Sequence, residues 1–136
     1  ATAMINYRLH PRDTAASILE RARAEVADMQ GVDLEWAEEP RDATTTSSTT
    51  STSYALLAAL SRNVMPNVPV APGLVLAGTD SRHYSEVAEN VYRFQPMMFT
   101  TDDLAGIHGT NEHLSFENIE RTVRFYIGLM EAGAMQ

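Results

Sequence analysis

An α/β class is predicted for this chain, because segments of strand period alternate with segments of helical period along it. Ile5, Tyr7 and Leu9 alternate with Met4, Asn6 and Arg8, which is the two-residue period of a half-buried strand. Ile18, Leu19, Ala22, Val26 and Met29 then recur at helical spacing among Glu20, Arg21, Arg23 and Glu25. Val32, Leu34 and Trp36 alternate once more, completing a strand–helix–strand unit.

The remaining elements follow in chain order. Pro11 ends the first strand, and Asp13 or Thr14 caps a helix from Thr14 to about Met29, which Gly31 stops. A domain boundary is placed near Pro40 to Ala43, giving domains at 1–42 and 43–136. Thr44 to Ser53 is ten consecutive Thr and Ser residues, the composition of a mobile loop or linker. Tyr54 to Asn63 reads as a short helix with Leu56, Leu57 and Leu60 on its apolar side. After a connection from Pro66 to Pro72, Gly73 to Leu76 reads as a short buried strand. Asp80 to Val91 is expected to be helical, with Tyr84, Val87, Ala88 and Val91 sharing a face. Tyr92 to Phe99 is expected to be a strand bent at Pro96, with Met97 and Met98 as core filler. Ser115 caps a last helix to about Glu131, whose stripe is Phe116, Ile119, Val123, Ile127 and Met130.

Composition narrows the function. A net charge of −8 and only ten Lys and Arg argue against nucleic acid as a partner, since phosphate binding needs clustered cations. No apolar run approaches the roughly 18 residues that span a bilayer. The opening residues lack the charged-then-apolar pattern of a secretory leader. The absence of cysteine excludes disulfides and thiolate metal sites, and leaves both the compartment and His or carboxylate ligands open.

Three short motifs hold the candidate chemistry. Arg8 and Asn6 share a strand face, where an arginine fork holds a carboxylate through two hydrogen bonds and the amide takes a second group. Pattern alone favours an exposed strand arginine. Gly78, Thr79 and Asp80 stand where a strand meets a helix; glycine permits close backbone approach, while Thr79 and Asp80 can cap. His83, on the first turn of that helix, faces either the same cleft or solvent. His108 lies in a loop before the last helix, beside Gly109. Neutral imidazole is the commonest metal ligand, yet spacing alone favours a loop histidine bonded locally. The four histidines are not spaced as a self-contained cage. His10 and His113 are read as surface residues.

Taken in order, these motifs resemble the dizinc exopeptidases and aminoacylases of metallopeptidase family 20, in the carboxypeptidase S and N-acyl-amino-acid amidohydrolase branch. The similarity rests on Asn6-Tyr7-Arg8, on Gly78-Thr79-Asp80-Ser81-Arg82-His83-Tyr84, and on Ile107-His108-Gly109-Thr110-Asn111-Glu112. It implies half of a ferredoxin-like lid, or dimerisation, domain at 1–42, followed at 43–136 by the C-terminal part of a zinc-exopeptidase α/β catalytic domain. Arg8 would bind the substrate's carboxylate with Asn6 beside it, Gly78 and Thr79 would line the cleft, and His83 would touch it. His108 would ligate one of two zinc ions.

The implied reaction is hydrolysis of a peptide or N-acyl-amino-acid bond next to a free carboxylate, in a homodimer. The family's other metal ligands and its glutamate base belong to an N-terminal half that is missing here. No catalytic residue is therefore expected in this chain, which alone would be inactive and hold zinc weakly. The competing expectation is a non-catalytic α/β binding or dimerisation module in which Arg8 and the 78–80 loop hold an anionic ligand. A purely structural association domain would instead pair Arg8 with an intramolecular carboxylate.

Overall fold

The computed structural model describes residues 1–134 and is built from helices joined by irregular backbone. Among the described residues there are four α-helices: α1 (Ala15–Glu25), α2 (Thr52–Val64), α3 (Thr101–Gly106) and α4 (Phe116–Ala134). A single 3₁₀ turn spans Asp80–Tyr84. No strand is present among the described residues, so the expected α/β class and the ferredoxin-like lid half are incorrect for this chain.

The physical reason is that alternation defines a strand's two faces but supplies no neighbour for its backbone. At two sites, side chains take the place of that neighbour. The hydroxyl of Ser47 accepts from the Val91 amide at 2.8 Å and donates to the Val91 carbonyl at 2.9 Å. Asn118 does the same for Met98, accepting from its amide and donating to its carbonyl, both at 2.8 Å.

The chain divides into two compact units. The first comprises Ala1–Ser47 and Leu74–Val91. Its helix α1 begins at Thr14, whose hydroxyl accepts from the Ser17 amide while the Ser17 hydroxyl accepts from the Thr14 amide. Asp42 accepts from the Ala15 amide at 2.7 Å, and Arg21 pairs with Asp13 at 2.5 Å. The helix ends at Glu25, short of the expected Met29, and turn bonds from Ala27 and Met29 carry the chain onward. Gly31 has a positive φ of 75°, but it serves this later turn and does not stop the helix. The expected strand at 73–76 is neither a strand nor buried, with Leu74, Val75 and Leu76 all exposed. The expected helix from Asp80 contracts to the 3₁₀ turn and one further turn at Val87 and Ala88.

The second unit comprises Ser48–Gly73 with Tyr92 onward, and its centre is the packing of α2 on α4. The periodicity of 54–63 marked α2 and the Ser115 cap marked the start of α4, whereas the Ser51 cap of α2 lies in the run expected to be a mobile loop or linker. Ser51 caps α2 by accepting from the Tyr54 amide at 3.1 Å, and Ser115 caps α4 by accepting from the Asn118 amide at 3.2 Å. The Tyr92 hydroxyl donates to the Ser48 carbonyl at 2.5 Å, which leaves the Ser51 hydroxyl as donor to the Tyr92 oxygen. The Thr/Ser run is thus tied at Ser47, Ser48 and Ser51, and its last residues belong to α2.

The core is small: Ala58, Phe125, Pro96, Ser61 and Asn118 are buried. Phe125 meets Phe94 with ring centroids 5.3 Å apart, and Tyr126 edge-on at 5.5 Å. Gly128 lies at the contact between the helices, where a β-carbon would stand 2.9 Å from Cδ2 of the flexible Leu60 side chain. The face of α4 that packs holds Asn118, Phe125 and Gly128. The expected stripe from Phe116 to Met130 lies on the exposed side. Periodicity finds an apolar stripe without showing which face the chain itself covers.

Candidate functional site

The best-built local feature among the predicted site residues is the turn at 78–84. Thr79, in extended backbone, caps the 3₁₀ turn: its hydroxyl accepts from the Ser81 amide at 3.3 Å and contacts the Ser81 hydroxyl. Asp80 sits in the first turn, where negative charge is favoured at a helix start. Arg82 Nε donates to His83 Nε2 at 3.3 Å. Gly78 has open space where a β-carbon would stand, so nothing within the chain demands glycine there. Gly78, Thr79 and His83 are all exposed.

The second feature is the His108 loop. Helix α3 begins with a capping box: the Thr100 hydroxyl accepts from the Asp103 amide at 3.3 Å, and Asp103 accepts from the Thr100 amide and hydroxyl at 2.7 Å each. Those bonds, the backbone one foremost, hold the Asp103 carboxyl below its ordinary value. The helix closes at Gly106, and the Gly109 amide donates back to the Gly106 carbonyl at 2.9 Å. Between them His108 adopts a left-handed backbone with φ 58°, and Asn111 follows with φ 65°. Left-handed non-glycine residues store strain, and such residues gather at functional sites. His113 Nδ1 bonds the Asn111 carbonyl oxygen at 2.8 Å, which fits its reading as a local surface residue.

Asn6 and Arg8 lie in irregular, exposed backbone flanked by Met4, Ile5 and Tyr7, which are exposed as well. Arg8 has no ion pair among the described residues, contrary to the expectation of a purely structural association domain. An open hollow of about 330 Å³ lies between Arg23, Met29, Val32 and Leu34, and none of the predicted site residues lines it.

Asn6, Arg8, Gly78, Thr79 and His83 belong to the first unit, and His108 to the second. Among the described residues no group of three or more His, Asp or Glu could hold a metal ion. A zinc site needs three or four protein ligands, so the donors of this chain do not by themselves fit zinc. No described helix is long and apolar enough to cross a membrane.

Sequence reading passed over Asn118, the buried residue whose amide closes the base of the segment containing α3 and His108. The available signal was Asn118 three residues after the capping Ser115, a polar residue off the apolar stripe.

Comparison with known proteins gives the chain its class, that of a peptidase family. Residues 4–132 match the family model for peptidase family M20/M25/M40, and the chain belongs to that family. It is 35% identical over 131 residues to an N-fatty-acyl-amino acid synthase/hydrolase of Xenopus tropicalis, covering 96% of this chain and 25% of that protein. The mouse protein of the same description is 38% identical over 128 residues, covering 92% of this chain and 25% of the relative. The carboxypeptidase S-like 2 protein of Dictyostelium discoideum is 35% identical over 131 residues, covering 96% of this chain and 25% of its own length. The chain therefore spans about a quarter of the curated relatives it matches. No solved structure matches it.

Proposed function

We propose that this chain is the C-terminal part of a zinc-dependent hydrolase that cleaves a peptide or N-acyl amide bond next to a free carboxylate. The observation that carries this reading is the family match over residues 4–132, which includes all three motifs in order. Relatives described as N-fatty-acyl-amino acid synthase/hydrolase and as carboxypeptidase S-like support the substrate class. Both descriptions share a scissile amide beside an amino-acid carboxylate.

In this reading Arg8 holds the substrate carboxylate and Asn6 a neighbouring polar group, as a planar fork beside an amide is suited to do. Arg8, exposed and without an ion pair among the described residues, supports that role. The Gly78–Thr79 backbone borders the cleft, and the open space at Gly78 leaves room for a ligand's close approach. His83 is a further cleft contact. His108, presented on a left-handed turn, is one metal ligand of a two-zinc centre whose other ligands and base come from outside this chain. Residues 1–42 serve homodimer association and residues 43–136 the catalytic part. This chain alone is inactive.

The test is hydrolysis of an N-acyl amino acid by the intact enzyme. His108→Ala should lower activity by at least about 100-fold, with loss of bound zinc read by elemental analysis. Arg8→Ala should weaken substrates with a free carboxylate about 10- to 100-fold in kcat/KM, equivalent to roughly 1.5–3 kcal/mol. It should leave carboxamide analogues nearly unchanged. Wild-type rates in His108→Ala would sink the metal role. Tight binding of an acyl amino acid without turnover would favour the anionic binding module instead.

A further inference from the structure

Residues 99–114, all within the second unit, include His108 and are tied to themselves. The capping box of Thr100 and Asp103 and the bond from the Gly109 amide to the Gly106 carbonyl fix their internal shape. His113 adds its bond to the Asn111 carbonyl oxygen. Left-handed residues such as His108 and Asn111 persist only where the surrounding structure over-determines their backbone. Among the described residues no hydrogen bond or ion pair joins 99–114 to the rest of the chain, and α3 packs on neither α2 nor α4.

The shape of this excursion is therefore set within it, and its placement is set at its base. There Pro96 is buried, and Asn118, only 4% exposed, holds the amide and the carbonyl of Met98 at 2.8 Å each. The other end of the excursion runs into Ser115, whose hydroxyl caps the same first turn of α4 that holds Asn118. One carboxamide thus closes the entry of the excursion onto its exit. Arg121 also donates to Asn118 Oδ1, so that oxygen takes two donors and the amide nitrogen is left for the Met98 carbonyl. Paired bonds fix orientation as well as distance.

We propose that Asn118 is a positioning residue of the hydrolytic site: it holds the base of 99–114 so that the His108 imidazole is presented at a fixed place. The inference rests on the reading of His108 as part of that site. Among the described residues Asn118 bonds none of the predicted site residues, and it acts through the backbone of Met98. Misplacing a reacting group by about 1 Å costs on the order of 100-fold in rate, even when the cause lies far from the chemistry.

The experiment uses the intact enzyme and three variants. Asn118→Leu fills the buried position without either bond to Met98. Arg121→Met removes only the second donor to Oδ1, from a half-buried side chain. Ala58→Gly lowers stability from the buried side of α2 without touching the base. Where all are folded, Asn118→Leu should lose about 10- to 100-fold in kcat with KM changed less than about threefold. Arg121→Met should lose at least about threefold in kcat. Hydrogen exchange of 98–110, read by mass spectrometry, should quicken about tenfold in Asn118→Leu while that of α2 holds. Ala58→Gly should lower Tm and leave both kcat and the exchange of 98–110 unchanged.

Wild-type kcat or unchanged exchange in Asn118→Leu would overturn the proposal. So would an equal loss of kcat in Ala58→Gly, because stability alone would then account for the effect. Should Asn118→Leu fail to fold, wild-type kcat and exchange in Arg121→Met overturn it instead. If the intact enzyme hydrolyses no N-acyl amino acid, the hydrolase reading fails, and hydrogen exchange still decides whether Asn118 holds the excursion. An active enzyme indifferent to Asn118 refutes the positioning alone.

Discussion

Asn118 grips the backbone of Met98 from both sides. Its Oδ1 accepts the Met98 amide and its Nδ2 donates to the Met98 carbonyl, each at 2.8 Å, and Arg121 donates to the same Oδ1 at 2.9 Å. The two residues are the ends of a twenty-residue excursion that contains α3 and His108. One buried carboxamide thus supplies the paired bonds a neighbouring strand would have made.

Asn118→Ala should therefore cost more than a single surface hydrogen bond. It leaves an amide and a carbonyl of Met98 without protein partners, for a loss of about 1–3 kcal/mol. Urea unfolding followed by circular dichroism measures it. Hydrogen exchange of the Met98 amide should quicken in the variant, and an unchanged midpoint would show that water replaces the side chain at no cost.

His108 and Asn111 both hold left-handed backbone. Replacing His108 by glycine should relieve strain and raise stability by about 1 kcal/mol, read from the denaturation midpoint. In the intact enzyme the same change should abolish activity if the imidazole is a ligand. A variant less stable than wild type would mean that the His108 side chain contributes packing.

The Asp103 carboxyl lies below its ordinary value because it accepts the Thr100 amide and hydroxyl in its charged form. A lowered folded-state value means that the unfolded chain takes up the proton first as pH falls. The stabilisation is full above the ordinary Asp value of 3.8 and is lost as pH drops through the lower folded-state value. Carboxyl NMR titration should place Asp103 below the ordinary Asp value, and Asp103→Asn should remove this acid-side loss. A titration at or above the ordinary value would contradict the capping box.

Gly128 faces Leu60 Cδ2, which an added β-carbon would meet at 2.9 Å. That methyl ends a half-buried, flexible side chain, so it can turn aside. Gly128→Ala should then be neutral or stabilising by up to about 1 kcal/mol through helix propensity. Gly128→Phe should force α2 from α4 and cost about 1–3 kcal/mol. Matched thermal melts of the two variants decide it, and equal tolerance of both would show that the α2–α4 contact is loose.

The chain's order of residues was enough to locate the local features. Thr14 and Ser115 cap helices as expected, because a hydroxyl that accepts an amide two or three residues ahead is a local device; Ser51, in the run expected to be mobile, caps α2 in the same way. The periodicity of 54–63 marked α2 for the same reason, and the three motifs led to the peptidase family that the comparisons confirm. Where a strand reading of 3–9, 32–38, 73–76 or 92–99 failed, the missing quantity was non-local. Alternation says which side chains share a face, but a strand exists only when another segment takes its backbone bonds. At Val91 and Met98 the partners were side chains, Ser47 and Asn118, each far away in sequence.

Tertiary structure alone also decided which face of α4 is covered. The apolar residues of 116–130 advertise one stripe, yet the polar Asn118 and the small Gly128 set the packed side, because close helix approach and paired amide bonds act through geometry. Hydrophobic burial is non-directional and leaves that choice open; contact distances and hydrogen-bond directions settle it.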